Sequence, residues 1–352
     1  MRQNLCFFIF SLSIGVARTQ SDSTLMLKEV VVSGFHETAG KGTSLNITAY
    51  PLPELEKSAP HNLSDALAQI PGVSQITTGG AISKPVIRGL YGNRILVLLS
   101  GLRFDNQQWQ DEHGLGLSQI GISRVELIKG PAALLYGTDA LGGVVNVVEE
   151  TPLFQRDHQA DASVRLSSNT RGLLTDIGFK KSNEGHWWRI RAGYENHGDY
   201  SDGRQERVLN SRNTGYYLRS GFGLKRRNWT QENTYNLSYN QYGFILEGLT
   251  DFFEADKRWS RAMAGPHHNV MLNILNSKNT FILANSTLHL NGGFQSNLRQ
   301  EDEGGGQISL NMHLISLLQN LRWEKPLGKQ SLLIINQQFT YENNTNYGGR
   351  II

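Results

Sequence analysis

Five side chains in two polar stretches carry donor types that bind a metal ion. Asp111, Glu112 and His113 stand together in Trp109-Gln110-Asp111-Glu112-His113-Gly114, and His267 and His268 follow Pro266. Carboxylate oxygen and imidazole nitrogen suit Zn²⁺, which takes four ligands, so neither stretch is a complete site by itself. The alternative for each is a polar loop with solvated histidines. The segment before Pro266 adds Glu247, Asp251, Glu254 and Asp256. Catalysis has no comparable foothold. The chain lacks a G-x-S-x-G elbow, a G-x-x-x-x-G-K-[ST] loop and an H-E-x-x-H pair, and Gly114-Leu115-Gly116 lacks the third glycine of a dinucleotide fingerprint. The chain reads as a non-enzyme with no cofactor requirement.

The elements that must position the first three of these donors lie in residues 84 to 148. Ile95 to Leu99 is a continuous apolar run, the pattern of a strand buried on both faces. Further strands are expected before Arg88-Gly89 and from Arg124 to Lys129. Gly130-Pro131 ends the latter, and Gly142-Gly143 allows close backbone approach before a last strand through Val148. Upstream, Asn62 to Ile70 reads as a short helix: Asn62 caps it, Asp65 sits near its N-terminus, and Pro71-Gly72 stops it. Arg88, Arg124, Glu126 and Lys129 are charges on otherwise apolar strands. Such charges need partners when buried, either within this module or on a surrounding wall.

The stretch resembles the plug domain of TonB-dependent outer-membrane receptors. Arg88, Gly89, Val125, Glu126, Gly130, Pro131, Leu135, Tyr136, Gly137, Ala140, Gly142, Gly143 and Asn146 fall on that family's pattern. Ser100 departs from it where the family usually has Asp, and Ala133 where Ser is common. The resemblance implies a TonB box at Leu27-Lys28-Glu29-Val30-Val31-Val32-Ser33, which would add as a strand to a periplasmic energy-transducing partner; without it, the segment is an ordinary first strand. It also implies salt bridges from the plug to the inner barrel wall. Zinc-acquiring members are similar in using an Asp-His pair on an apical plug loop, completed by barrel residues. Substrates implied are Zn²⁺, a ferric siderophore or haem.

The rest of the chain fits that frame. Residues 1–19 have the charged start, short apolar core and small-residue exit of a signal peptide, and Cys6, the only cysteine, lies within it. Mean hydropathy is −0.37, and the 34 basic and 31 acidic residues leave a net charge of +3. No basic run of the kind nucleic-acid contact needs is present. From about residue 160, apolar and polar residues alternate with period two. Val164 and Leu166 oppose Ser163 and Arg165, Trp188 and Ile190 oppose Arg189 and Arg191, and Tyr235 and Leu237 oppose Asn236 and Ser238. Lipid outside and water inside produce this pattern.

Nine strands are expected, near residues 160–168, 173–181, 187–195, 215–225, 229–241, 268–283, 287–299, 307–324 and 330–342. Transporters of the resembled family have about 22 strands around a plugged lumen, so the chain reads as the N-terminal portion of a longer protein. The expected architecture is mainly β: a signal peptide at 1–19, a TonB box and α+β plug domain at 20–150, and part of an antiparallel transmembrane barrel at 151–352. The expected activity is import of a metal ion or metal chelate across the bacterial outer membrane. A passive porin or adhesin barrel and a soluble secreted glycan-binding β-protein are the alternatives.

Overall fold

The computed structural model describes residues 47–106, 113–130, 133, 136–153, 156–245, 259–263, 265–328 and 331–349. Leu27 to Ser33, Asp111, Glu112 and Pro131 lie outside the described residues.

Up to Glu149 the chain forms an α+β unit. Its elements are β1 (Ile47–Pro51), α1 (Leu52–Leu55), α2 (Leu63–Leu67), β2 (Val73–Thr78), β3 (Ile82–Ile87), β4 (Leu96–Leu99), β5 (Leu102–Arg103), β6 (Ile122–Ile128) and β7 (Val144–Glu149). One mixed sheet has the order β1-β6-β7-β4-β5, in which only β4 and β7 run parallel. Both of these are buried along their whole length, as their unbroken apolar runs require. The Asn62 side chain caps α2 by accepting the Asp65 N–H at 3.0 Å. Arg88-Gly89 (φ 51° and 81°) and Ser100-Gly101 (φ 51° and 87°) each put two consecutive residues at positive φ. Two-residue hairpins of the primed class need that geometry to match strand twist. Arg88 therefore occupies an exposed turn and not an apolar strand.

From Asp157 the chain is one antiparallel sheet. Its strands are β8 (Asp157–Ser167), β9 (Gly172–Asn183), β10 (His186–His197), β11 (Asn213–Arg226), β12 (Trp229–Gly243), β13 (His267–Leu283), β14 (Ser286–Asp302), β15 (Ile308–Pro326) and β16 (Leu332–Asn346), each paired with the next. All nine expected ranges meet one of these strands. The strands run from 11 to 19 residues, and most exceed the roughly 9–11 that cross a bilayer. Tight turns join β9 to β10, β11 to β12 and β13 to β14 at one end; the long connections after β10 and β12 lie at the other.

The two faces of this sheet invert the rule for water-soluble proteins. Val164, Leu166, Trp188, Ile190, Tyr216, Phe222, Phe294 and Leu317 are exposed, whereas Arg189, Arg219, Asn240, Gln295, Asn297 and Arg299 are buried. The strand β13 departs from the alternation. Its inward Val270, Leu272 and Ile274 join one apolar cluster with Val97, Leu99, Phe104 and Leu115 of the α+β unit. That unit therefore packs directly on the inner face of the sheet.

Candidate functional site

The end of β7 and the residue after it carry a cluster of ion pairs between the two parts. Glu149 and Glu150 follow four apolar positions of the central sheet and emerge against the inward arginines of β10 and β11. Glu149 lies 3.5 Å from Arg189 Nη2 and 3.3 Å from Arg219 Nη1, with its side chain only 2% exposed. Glu150 pairs with Arg191 and stands 3.6 Å from Lys180 Nζ; Arg191 in turn binds Asp161 of β8 at 2.7 Å. Burial opposes ionisation of Glu149, yet Arg189, Arg219 and Lys278 outweigh it and hold the carboxyl below its ordinary range. The Ser100 hydroxyl of the β4–β5 turn donates to Glu149 at 3.3 Å. A carboxylate at residue 100, as the resembled family usually has, would face Glu149 with like charge.

A second contact is made at the long-connection end. His113 is fully buried, and its Nε2 donates to Glu301 Oε1 of β14 at 2.9 Å. The same oxygen is 3.8 Å from His268 Nδ1 of β13 and 3.9 Å from Arg299 Nη1. Two imidazoles, one from the α+β unit and one from the wall, thus converge on one carboxylate. His267 falls on the opposite face of β13, half-buried, with Nδ1 2.9 Å from the Gly265 carbonyl. Among the described residues, no group of three His, Cys, Asp or Glu side chains is arranged to hold a metal ion. The five sequence-selected donors therefore divide. His113 and His268 meet, His267 stays apart, and Asp111 and Glu112 lie outside the described residues.

Of the charges chosen from the plug pattern, Arg124, Glu126 and Lys129 have partners within the α+β unit. Arg124 binds Glu126 at 2.8 Å, and the fully buried Glu126 also accepts the Asn146 amide at 2.8 Å. Lys129 donates to the Pro71 carbonyl at 2.8 Å. Tyr136 is buried, while Gly89, Gly130 and Gly137 are φ-positive positions with open space around a Cβ. Sequence reasoning missed Glu149, Glu150 and Glu301. The signal for the first two was the row Arg189, Arg191 and Arg219 on the inward face, because charges enclosed there require counter-charges.

A His113→Ala substitution removes the donor to Glu301, and a loss of about 1–3 kcal/mol in the stability of the plug-to-wall contact is expected. Limited proteolysis of the folded protein would report it as faster cleavage of the α+β unit.

A family model described as the TonB-dependent receptor plug domain matches residues 40–144. The iron-regulated outer membrane virulence protein of Vibrio cholerae serotype O1 is 32% identical over 157 residues, which are 43% of this chain and 23% of that protein. The vitamin B12 transporter BtuB of Photobacterium profundum is 29% identical over 159 residues, 43% of this chain and 26% of that protein. Among solved structures, a mutant ferric enterobactin receptor PfeA of Pseudomonas aeruginosa superposes with a TM-score of 0.66 at 14% identity. That match covers 84% of this chain and 48% of the receptor. The chain spans about half the length of that receptor, and its matched stretch about a quarter of the two sequence relatives.

Proposed function

We propose that this chain, which carries the plug domain and the fold of the TonB-dependent outer-membrane receptors, is the receptor and gate of an active importer for small metal chelates. The observation that carries this reading is the seating of the α+β unit. It packs on the inner face of a lipid-facing sheet and is tied there by the buried pairs of Glu149 and the half-buried pairs of Glu150. A tied stopper blocks free diffusion, so passage requires work delivered from the periplasm. In this reading residues 1–19 are the signal peptide, 20–150 the TonB box and plug, and 151–352 barrel wall. Leu27 to Ser33 accepts the pull by adding as a strand to a TonB-type partner, with main-chain hydrogen bonds supplying the grip. The names of the relatives, an iron-regulated protein, a vitamin B12 transporter and a ferric enterobactin receptor, favour a metal chelate as cargo.

Deletion of Leu27 to Gly34 tests the reading. Uptake of the chelate should fall at least tenfold while binding at the cell surface persists. Unchanged uptake would mean a passive barrel.

A second reading, Zn²⁺ as cargo, is favoured by one observation. His113 and His268 reach the same Glu301 oxygen, at 2.9 and 3.8 Å, so donor types that Zn²⁺ takes meet there, although as placed they form ion-pair contacts and not a metal site. Asp111 or Glu112 would supply the further donor. His113→Ala separates the readings: zinc uptake falls selectively if the cluster binds cargo, and all uptake changes together if the cluster only seats the plug.

A further inference from the structure

The lipid-facing side of β12 to β15 is interrupted by one row without a large apolar side chain. Asn233, Ser277, Gly292 and Gln319 stand opposite one another across consecutive ladders, each partnered to the next. Two positions along each strand, Tyr235, Leu275, Phe294 and Leu317 form the neighbouring row, and the last three are exposed. Residues two apart on a strand share a face, so the polar row faces lipid as well. Thr234, Asn276 and Leu318, one position away on their strands, are buried on the inner side.

The depth of the row places it in hydrocarbon and not among headgroups. Trp229 stacks on Phe281 near the tight turns, and Tyr216 packs with Tyr194 and Tyr239 towards the long connections. Aromatic girdles of this kind mark the two interfaces of a membrane barrel. From Trp229 to Tyr239, β12 has the roughly 9–11 residues that cross a bilayer, and Asn233 lies inside that stretch. Ser277 is as far along its strand from Phe281 as Asn233 is from Trp229.

An amide in hydrocarbon is costly without a hydrogen bond. Asn279, beside the row, is provided for: it accepts the Trp229 indole N–H at 3.3 Å and donates to the Ser277 hydroxyl at 3.2 Å. Among the described residues, the side chains of Asn233 and Gln319 have no such partner. At the centre of the row, a Cβ on Gly292 would meet only the Leu318 carbonyl oxygen, at 3.8 Å, so another backbone can come close. Small residues that admit close approach and amides that bond across the gap hold proteins together in lipid, where apolar contact supplies no hydrophobic drive.

We infer that this row is the contact face of a homodimer in the outer membrane. The occupant is a second copy because the row complements itself. An amide both donates and accepts, and the row carries no charge that a two-fold axis would set against its like. An axis along the membrane normal, passing between Ser277 and Gly292, brings the two rows together as an isologous contact. Four strands at their usual spacing make the face about 14 Å wide, a narrow strip of the kind along which two convex walls touch. Neither the cargo nor the pull of the importer reading enters; the dimer requires only that the sheet faces lipid.

Oxidative cross-linking in intact outer membranes tests the contact, using the full-length protein with Cys6→Ser as background. Ser277→Cys should be captured as a dimer, whereas Ile177→Cys, equally lipid-facing but on β9, should stay monomeric. The unmodified protein, released from lipid nanodiscs, should show a dimer by native mass spectrometry, a measurement that needs no variant to fold. Asn233→Leu/Gln319→Leu should shift the equilibrium towards monomer at least tenfold on dilution with lipid, while the heat-dependent gel mobility of a folded barrel is kept. A monomeric parent in the bilayer, a Leu variant that dimerises as the parent does, or equal cross-linking at residue 177 overturns the inference. Capture of a different polypeptide at residue 277 overturns it too.

Discussion

Glu149→Ala is expected to unseat the plug, with a loss of about 3–5 kcal/mol in the contact between the α+β unit and the wall. Glu149 is the shared partner of Arg189 and Arg219, all three nearly excluded from water. Removing the carboxylate leaves two guanidinium groups enclosed without their counter-charge, and breaking a buried pair in this way costs about that much. Cells carrying the variant should admit large hydrophilic antibiotics that the parent excludes, and the plug should become protease-sensitive. The same group sets an acid limit. Its carboxyl is held below the ordinary range, so its contribution is fully present above the unfolded value, near pH 4.5, and is lost as pH falls through the lower folded value. Thermal melts of the parent should therefore drop on acidification below about pH 4.5. Glu149→Gln should remove part of that dependence, and a variant melting curve with the parent's full acid sensitivity would assign it to other carboxylates.

Gly143→Val should be nearly as damaging, for a reason of backbone shape. Gly143 has φ of 138°, and an added Cβ would lie 2.8 Å from the Ile128 carbonyl oxygen across the β6–β7 pair. A branched side chain must pay for both the disfavoured conformation, about 1–3 kcal/mol, and the clash, another 1–3 kcal/mol or so. The collision is with main chain in the central ladder, where neither strand can retreat without breaking its pairing. The expected outcome is failure to accumulate folded protein in the outer membrane at growth temperature. By contrast Gly130→Ala, at φ 77° with open space around it, should cost only the conformational share.

Much of this architecture was legible because lipid and water impose a strict two-residue rhythm on a crossing strand. Trp188 and Ile190 against Arg189 and Arg191 declare their faces without any knowledge of neighbours. Asn62 was readable as a cap because its role is local. The contacts that tie plug to wall were not readable, since they join residues far apart in sequence. Val147-Val148-Glu149-Glu150 looks like a strand running out into solvent, and only the arrangement in space turns its last two residues inward. Glu301 was hidden for the same reason. Its neighbours Gln300 and Asp302 disguise it as part of a polar loop, whereas β14 extends through Asp302. Arg88 was misplaced because the apolar run before it suggested strand, while the φ-positive pair with Gly89 made it a turn.

The apolar stripe on β13 bears on how such a stopper can move. Val270, Leu272 and Ile274 complete a nucleus that the leading 150 residues do not close by themselves, so withdrawal strips oily surface on both partners at once. Departure as an intact globule would expose that surface to the aqueous channel, at roughly 25 cal/mol for each Å² bared. Local unravelling that leaves the β13-facing layer docked exposes far less. If the importer proposal holds, traction from the periplasm should then peel the module from its opposite flank, opening a crescent along one side while the other stays anchored.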